Sequence, residues 1–470
     1  MYTYQDLVPI MDDEEAKMKF AYALIYEHKQ TELFKTAEIA IDYDKHKNRT
    51  ITEFQKLLYD VTGNVVPDNW SANFKMASKF FNRFVTQENQ YLLGNGVTWE
   101  KEETKKKLGG EDFDIQIQRL GKKALVGGVA FGFFNKDHIE GFGVTEFAPL
   151  YDEENGALRA GVRFWQIDTG KPLRATLYEE DGYTDYIWNR REDTGDYEGE
   201  ILHGKRTYIV KYTKSEADGE EIFDGENYPG FPIIPLWGNP AHQSELVGLR
   251  EQIDCYDLIK SGYANNVDEG SLIYWTLQGA GGMDDIDLAQ FLEKLKTLHA
   301  ATTDTAKPEP HQLEAPYQSR EALLLKLRTD LYDDAMALDV KSIEGGAVTA
   351  TQIKAAYEPL NSKADQYEYC VRDFLQELCK IAGIDDKPTF TRSVIVNNQE
   401  EMQLLIQAAQ FLPQDYTTRK ILELLGDGDK ADEILKQMAA DELARAQEEA
   451  EMEEVGETPT TPIQGQNEAI

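Results

Sequence analysis

The chain has 470 residues, of which 41% are hydrophobic and 11% aromatic. That share is enough to build a folded core, which excludes global disorder, a collagen-like repeat and low complexity. Lys and Arg number 49 against 85 Asp and Glu, so the formal net charge is −36; this argues against tight binding of nucleic acid, which needs clustered basic residues. Two interpretations of the acidity stay open: solubility through self-repulsion, or a surface along which nucleic acid passes without adhering.

Membrane insertion and a disulfide framework are not expected. The longest apolar run, Ala124–Phe134, is interrupted by glycines and is far shorter than the ~18–20 residues of a spanning helix. No basic residue precedes Lys17, so no secretory signal is expected. The cysteines Cys255, Cys370 and Cys379 include no Cys-x-x-Cys pair, so a zinc site of the usual kind is not expected either. We expect synthesis in a reducing, intracellular compartment.

Helical periodicity dominates the first 125 residues. Residues 11–60 are interpreted as helices and connectors. A longer helix is predicted from Ser71 to Leu93, because apolar residues recur at helical spacing until Gly94-Asn95-Gly96 ends the pattern. Another helix is predicted from Phe113 to Leu125, and a strand at Val129–Asn135 follows it.

Residues 160–237 predict antiparallel β structure. Leu173–Tyr178 and Tyr183–Trp188 alternate in polarity, and the Glu179–Gly182 link ends in Asp-Gly. Such a link predicts a hairpin, since Gly tolerates a positive φ. A further strand is predicted at Arg206–Tyr212.

Two long helices are predicted next, with a small α/β insert between them. The first runs from Ser244 to Asp268 and the second from Glu321 to Val340. The insert is predicted to contain a strand at Ser271–Leu277, a helix at Asp285–Leu298 and an extended segment at Pro308–Pro316.

A third long helix is predicted from Thr349 to Ala382, ending at Gly383. Its apolar residues recur with a period of 3.5, which predicts a seam for another helix. These residues are Ile353, Tyr357, Leu360, Ala364, Tyr367, Val371, Phe374 and Leu378. Such a seam is more often internal core than a subunit interface. Pro359 lies inside the helix and predicts a kink, because proline removes one hydrogen-bond donor.

The C-terminal part is predicted to be mainly helical. A strand at Thr389–Val396 precedes helices at Gln399–Phe411, Tyr416–Leu425 and Lys430–Ala446. The residues after Glu457 lack core-forming side chains, and we expect the acidic tail, 447–470, to be disordered.

Motifs that would carry chemistry are weak. Gly279-Ala-Gly-Gly282 has Asp284 where a dinucleotide loop needs glycine, so a turn with a helix cap is the better interpretation. Asp427-Gly-Asp429 has Ala431 at a calcium-ligand position, which favours a solvated turn. We therefore predict no catalytic residue, no metal and no cofactor, although a hydrolase that uses Asp/Glu pairs stays open as an alternative.

Several stretches in this order resemble the portal proteins of tailed double-stranded DNA bacteriophages, of the type found in long-tailed phages of Gram-positive hosts. The resemblance covers roughly residues 20 to 430. The similar stretches are Gln90-Tyr-Leu-Leu-Gly-Asn-Gly-Val-Thr98, Gly127-Gly-Val-Ala-Phe-Gly-Phe-Phe-Asn135, Ala148-Pro-Leu-Tyr-Asp152, Pro232-Ile-Ile-Pro235, Ile253-Asp-Cys-Tyr-Asp257, Gly346-Ala-Val-Thr-Ala-Thr-Gln-Ile353 and Phe390-Thr-Arg-Ser-Val-Ile-Val396.

The resemblance implies an elongated α+β subunit of a ring, usually of twelve copies, with wing, stem, clip and crown. It implies a wing at 1–240, completed by the kinked helix at 351–384. It implies stem helices at 241–270 and 317–340, a clip at 271–316, a tunnel loop at 341–350 and a crown at 385–446.

The resemblance also implies partners and a site. The ring would sit at the portal vertex of the virion, be assembled in the host cytoplasm, and contact terminase, neck or connector proteins, and major capsid and scaffolding proteins, but no membrane. Double-stranded DNA would pass the tunnel-loop residues Lys341, Ser342, Glu344, Gly345, Gly346, Val348 and Thr349. Gly345 and Gly346 have a plainer interpretation as a helix cap or turn. A monomeric head or adaptor protein is the alternative function.

Overall fold

The computed structural model describes residues 2–59, 64–68, 71, 73–191, 197–215, 221–270, 274–278, 307–311, 317–342, 350–393, 402, 405–425 and 428–441. The chain divides into two compact units, Met1–Gly345 with Ala355–Ser393, and Gly346–Lys354 with Val394–Ile470. Helices and antiparallel strands both contribute, so the mixed helix-and-sheet class is confirmed.

Helices provide most of the regular structure in the described residues. In chain order the α-helices of the described residues are α1 (Tyr4–Leu7), α2 (Glu14–His28), α3 (Glu32–Asp44), α4 (Arg49–Glu53), α5 (Phe80–Leu93), α6 (Glu102–Leu108), α7 (Phe113–Gly127), α8 (Arg250–Gly270), α9 (Tyr317–Asp334), α10 (Ala350–Ala382) and α11 (Gln414–Leu425). Short 3₁₀ turns are Val8–Ile10, Gly110–Asp112, Val340–Ser342 and Gly428–Lys430.

The strands pair antiparallel throughout the described residues. They are β1 (Leu57–Tyr59), β2 (Val65–Pro67), β3 (Val97–Trp99), β4 (Val129–Asn135), β5 (His138–Gly143), β6 (Phe147–Tyr151), β7 (Leu158–Trp165), β8 (Leu173–Glu179), β9 (Gly182–Arg190), β10 (Tyr197–Arg206), β11 (Ile209–Ser215), β12 (Glu221–Glu226), β13 (Ile233–Trp237), β14 (Tyr274–Gln278), β15 (Lys307–His311) and β16 (Pro388–Phe390). A five-stranded sheet has the order β10-β9-β8-β7-β6, and a three-stranded sheet has the order β13-β4-β5. The pairs β1–β2, β3–β16, β11–β12 and β14–β15 complete the set.

Three hydrophobic clusters fill the first unit. The largest lies where α10 meets α5, α7, α9 and strands β4 and β13. A second joins α2 to the five-stranded sheet, and a third, rich in Phe and Tyr, lies between the two larger sheets. The clusters therefore join the helices and the larger sheets into one body.

The period of 3.5 along α10 corresponds to its buried side. Ile353 is half-buried, and every later member of the predicted seam is at most 4% exposed. The four that follow Ala364, namely Tyr367, Val371, Phe374 and Leu378, belong to the largest cluster. The seam is thus internal core of the subunit. Pro359 lies inside α10 on its exposed side, and the kink stays a prediction.

The predicted helix from Ser71 is wrong in its first part, because α5 begins at Phe80. Residues 73–79 have no helical structure, since their backbone N–H groups bond to side chains of α8. The helix at Phe113 and the strand at Val129 are confirmed. The hairpin is confirmed as β8 and β9, with Glu180 and Asp181 as its loop and Gly182 at φ 146°.

The boundaries of the paired long helices also differ from prediction. The first begins at Arg250 and not at Ser244, because the Ser244 hydroxyl accepts a hydrogen bond from the Leu246 N–H and donates one to the Val126 carbonyl. The second ends at Asp334 and not at Val340. There the chain leaves the helix through Met336, whose φ is 51°.

Three strand predictions need correction or fall partly outside the described residues. The strand predicted at Arg206–Tyr212 is interrupted, since β10 ends at Arg206 and β11 begins at Ile209. Between them the Tyr208 hydroxyl donates to the Glu179 carbonyl. The strand predicted at Thr389–Val396 is β16, which ends at Phe390. The insert shows the pair β14–β15, and its predicted helix lies outside the described residues.

The second unit is described by itself. It contains α11, confirming the helix predicted at Tyr416, and helical residues 405–408 and 431–441. Arg419 Nη2 lies 2.5 Å from Asp432 Oδ1 and ties α11 to the following helix. The tail beyond 441 lies outside the described residues.

Candidate functional site

The tunnel-loop residues predicted from the sequence are only partly described. Lys341 and Ser342 end the 3₁₀ turn that begins at Val340. The Lys341 side chain is exposed, and its backbone N–H donates to Asp339 Oδ1 at 3.2 Å. The remaining five, Glu344, Gly345, Gly346, Val348 and Thr349, lie outside the described residues.

The turn that carries Lys341 is fixed to α5 at its base. Both backbone groups of Leu338 bond to the side-chain amide of Gln87, with the Leu338 N–H at 3.0 Å from Oε1 and its carbonyl at 3.1 Å from Nε2. Asp339 also pairs with Arg328 of α9 at 2.7 Å. The start of the predicted loop is therefore anchored on two helices.

The α9 helix ends in a Schellman motif, in which a left-handed residue turns the chain. The Met336 N–H donates to the Asp333 carbonyl, and the Ala337 N–H donates to the Tyr332 carbonyl, both at 3.0 Å. Glycine usually occupies the left-handed position, because side chains there are strained. Met336 occupies it here, with φ 51°.

Beside this motif, Lys363 of α10 makes a buried three-way contact. Its Nζ lies 2.9 Å from Glu88 Oε2 of α5 and 2.7 Å from Glu245 Oε2 in the segment before α8. It also donates to the Ala335 carbonyl, directly after α9, at 3.2 Å. Lys363 thus makes one hydrogen bond, to the Ala335 carbonyl, and lies at ion-pair distance from two carboxyl groups.

The pKa values of Glu88 and Lys363 are both raised at this junction. Glu88 is 2% exposed, and burial raises the pKa of its carboxyl group to about 8 although Lys363 opposes that shift. The raised pKa favours the neutral form of the Glu88 carboxyl group near neutral pH. Burial lowers the pKa of Lys363, but the nearby carboxylates outweigh it and the pKa is raised overall. Lys363 therefore stays charged.

A cavity of about 600 Å³ opens beside the junction. Glu88, Glu245 and Lys363 line it together with Asp334 and Met336. Within the described ranges, no group of three His, Cys, Asp or Glu side chains could hold a metal ion. The junction is an interhelical contact, in which Lys363 pairs with the carboxyl groups of Glu88 and Glu245.

A second polar arrangement joins the extended segment 73–79 to α8. The N–H groups of Phe74, Met76 and Ser78 donate to Asn265 Oδ1, Ser261 Oγ and Asp257 Oδ1, at 2.7, 3.0 and 2.9 Å. Two residues of extended chain advance about 6.7 Å, and four residues of helix advance about 6 Å, so the two spacings nearly match. Burial raises the pKa of Asp257.

The sequence interpretation missed both arrangements. The contact between residues 73–79 and α8 has a signal in the sequence. Asp257, Ser261 and Asn265 place short polar side chains at steps of four along one face of α8. The junction had no such sign, since Glu88, Glu245 and Lys363 come from distant segments. Across the described parts of the chain, no helix is both long and apolar enough to cross a membrane.

Comparisons with known proteins identify relatives. The profile of the family described as "Phage portal protein, SPP1 Gp6-like" matches residues 25–455. The portal protein of Bacillus phage SPP1 is 25% identical over 391 residues, 76% of this chain and 74% of that protein. The portal protein of Clostridium phage phiCD119 is 23% identical over 242 residues, 46% of this chain, so the chain spans about half (54%) of that relative's length.

Solved structures that match part of this chain come from gene transfer agent particles. A chain from the neck of a native particle, computed with twelvefold symmetry, has a TM-score of 0.40 at 10% identity and covers 73% of this chain and 90% of its own. A chain from the native virion has a TM-score of 0.40 at 11% identity, covering 74% and 89%. The family profile spans most of the sequence, and so this chain belongs to the SPP1 Gp6-like family of phage portal proteins.

Proposed function

We propose that the chain forms the portal ring of a phage capsid, the conduit for DNA packaging and ejection. The family match over residues 25–455 carries this proposal. The ring would contain about twelve subunits, as the family resemblance implies. It would lie at the portal vertex of the virion after assembly in the host cytoplasm. It would dock the terminase motor and the neck proteins, and contact capsid and scaffolding proteins. The family is structural, and we propose no catalytic role for this chain.

The described helices support the assignment of a stem. Helices α8 and α9 run side by side and antiparallel. Tyr263 packs edge-on against Tyr317 at a centroid distance of 5.9 Å, and Gln252 Nε2 bonds to Asp334 Oδ2 at 2.5 Å near their other ends. The strands β14 and β15 pair between them in sequence. We therefore propose α8 and α9 as the stem and 271–316 as the clip.

The other parts are proposed as the family resemblance implies them. Residues 1–240 and 351–384 would form the wing, and 341–350 the tunnel loop. The division between compact units falls after Ser393, since β16 pairs with β3. We therefore propose that the crown begins after Ser393, later than the boundary at 385 expected from the sequence.

Size and shape test this proposal directly. Native mass spectrometry and negative-stain microscopy of the purified chain are expected to show a ring with a central pore and to count its subunits. A compact particle without a pore would contradict the proposal and favour a monomeric head or adaptor protein. A pore-free particle with hydrolytic turnover would instead favour the Asp/Glu hydrolase.

We also propose that the channel repels DNA. Twelve copies at −36 each would carry about −430 before counterions. A Debye length of ~8 Å confines the repulsion to the wall, so DNA would slide without adhering. Purified rings should retain duplex DNA weakly at physiological salt. Tight retention with a steep salt dependence would contradict a repelling wall.

Lys341 would be the exception, as an exposed cation at the start of the tunnel loop. We expect Lys341→Ala to reduce the residual DNA binding of rings, and Lys380→Ala, on the exposed side of α10, to leave it unchanged. Equal effects of both substitutions would count against a role for the loop.

Gly345 and Gly346 would let the tunnel loop adopt more than one path. Gly346→Pro restricts the backbone, and Gly346→Ala is its milder control. We expect the proline variant to assemble normally and to package DNA more slowly. A normal packaging rate would favour the plain interpretation of the two glycines as a helix cap or turn.

A further inference from the structure

The Lys363 ammonium group contacts three segments from a fourth. Lys363 belongs to α10, and its acceptors lie on α5, before α8 and after α9. Glu245 precedes the first residue of α8 by five positions, and Ala335 directly follows the last residue of α9. Because α8 and α9 are antiparallel, these are neighbouring ends of the pair. One cation therefore binds both ends.

The contacts are enclosed. The side chains of Lys363 and Glu245 are 14% exposed and that of Glu88 is 2% exposed. Removal of a partner from a largely buried charge is destabilising, because the charge then lacks the contact that offset its loss of hydration. Displacement of the end of α9 would break the hydrogen bond to the Ala335 carbonyl, and displacement of the start of α8 would break the ion pair with Glu245. The geometry thus penalises movement of the pair relative to α10.

The backbone contact makes the junction sensitive to helix position. Ala335 offers its carbonyl where α9 ends, one residue before the left-handed Met336. A carbonyl cannot follow a moving ammonium as a side chain can, since its position depends on the end of the helix. The hydrogen bond from Lys363 therefore depends on the position of the C-terminal end of α9. Its ion pair with Glu245 depends on the position of the segment that precedes α8.

We propose that Lys363 is a positioning residue that couples the α8–α9 pair to the long helix α10, so that movement of one is transmitted to the other. The inference deepens the proposed function and rests on it for its consequence: the clip lies between α8 and α9 in sequence, and the tunnel loop directly precedes α10. A motor or neck protein that displaces the clip would then act on the loop through this contact.

Hydrogen exchange of the full-length chain tests the coupling. The variants are Lys363→Met, which keeps length without charge, and Lys380→Met as the matched control, since Lys380 is an exposed lysine of the same helix paired with Glu377. We expect Lys363→Met to accelerate exchange about tenfold or more at the start of α8 and the end of α9 together. Lys380→Met should accelerate neither. Acceleration confined to α10, or none at all, would overturn the proposal.

Chemical rescue separates the role of the cation from that of packing. Lys363→Ala leaves space beside the existing cavity, and propylammonium can supply the missing ammonium group there. We expect millimolar propylammonium to restore protection at both helix ends, and propanol at the same concentration to have no effect. Equal restoration by both compounds, or by neither, would overturn the coupling by charge.

Glu245→Gln provides a second variant if loss of Lys363 unfolds the chain. It removes the carboxyl group that faces Lys363 and keeps the shape of the side chain, and we expect faster exchange at the end of α9 although the substitution lies before α8. A change restricted to the start of α8 would overturn the proposal. Native mass spectrometry of the same samples reports ring formation separately, so failure of the portal assignment would be visible even where the coupling holds.

Discussion

The hydroxyl oxygen of Tyr367 occupies the space that a side chain on Gly121 would need. A Cβ atom built on Gly121 would lie 2.0 Å from this oxygen and 2.7 Å from Asn89 Oδ1. The same hydroxyl donates to Asn89 Oδ1 at 3.1 Å, and Tyr367 is fully buried. Helices α5, α7 and α10 therefore meet at a residue without a side chain.

Gly121→Ala is expected to lower the free energy of unfolding by about 1–3 kcal/mol, because overpacking of a core moves side chains off their preferred positions. Gly262→Ala is the matched control, since it lies inside α8 with no atom within 4 Å of its added Cβ. There we expect a gain of up to about 1 kcal/mol from helix propensity. Urea unfolding measures both.

Adding Tyr367→Phe to Gly121→Ala removes the oxygen that the new methyl group meets. We expect the double variant to be less destabilised than the sum of the single variants. Strict additivity would show that the crowding lies elsewhere.

The bonds between residues 73–79 and α8 should differ in strength along the segment. Ser78 is buried and Phe74 is exposed, and an unpaired N–H is more costly where water cannot reach it. We expect Asp257→Ala to reduce stability most, by about 2 kcal/mol or more, Ser261→Ala less, and Asn265→Ala least. Urea unfolding and amide exchange at Phe74, Met76 and Ser78 measure this order, with Glu251→Ala, an exposed position of the same helix, as control. A reversed order would contradict it.

Stability should depend on pH through Glu88. Burial raises the pKa of Glu88 from 4.5 to about 8, so the folded chain holds a proton that the unfolded chain releases. Its contribution to stability is full below pH 4.5 and is lost as pH rises to about 8, at up to ~1.4 kcal/mol per pH unit. Its charged or titratable neighbours at the junction are Lys363, Glu245 and Tyr367.

Glu88→Gln should therefore flatten the decline in unfolding free energy between pH 5 and 8. Glu377→Gln, exposed on α10, should leave the slope unchanged. Urea unfolding at several pH values measures both. An unaltered slope in Glu88→Gln would show that Glu88 is ionised throughout this range.

Because Met336 has a left-handed backbone conformation, we expect glycine at this position to be more stable than alanine. Met336→Gly and Met336→Ala both remove the side chain, and only glycine relieves the backbone strain, so we expect the glycine variant to be more stable than the alanine variant by about 1–2 kcal/mol. Thermal unfolding compares them. Equal stability would show that residue 336 leaves the left-handed conformation once its side chain is lost.

The limits of sequence prediction are visible in α8. Its apolar face was predicted from spacing, and Ile253 is buried as expected. The segment that binds its polar face, residues 73–79, was not predicted. The helix predicted from Ser71 therefore begins too early, because it includes this extended segment. Residues 73–79 are extended and not helical, because side chains nearly 200 residues away in the sequence accept hydrogen bonds from their N–H groups.

The sequence by itself determined the elements whose signal lies between near neighbours. The buried side of α10 follows from a repeat of three and four residues, the β8–β9 hairpin follows from alternation around a short link, and the family follows from stretches in a characteristic order. Only the tertiary structure decided that Gly121 meets Tyr367, and that Lys363 joins Glu88 to Glu245. Those contacts connect residues more than one hundred positions apart, and their strength depends on exclusion of water, which no local pattern of side chains specifies.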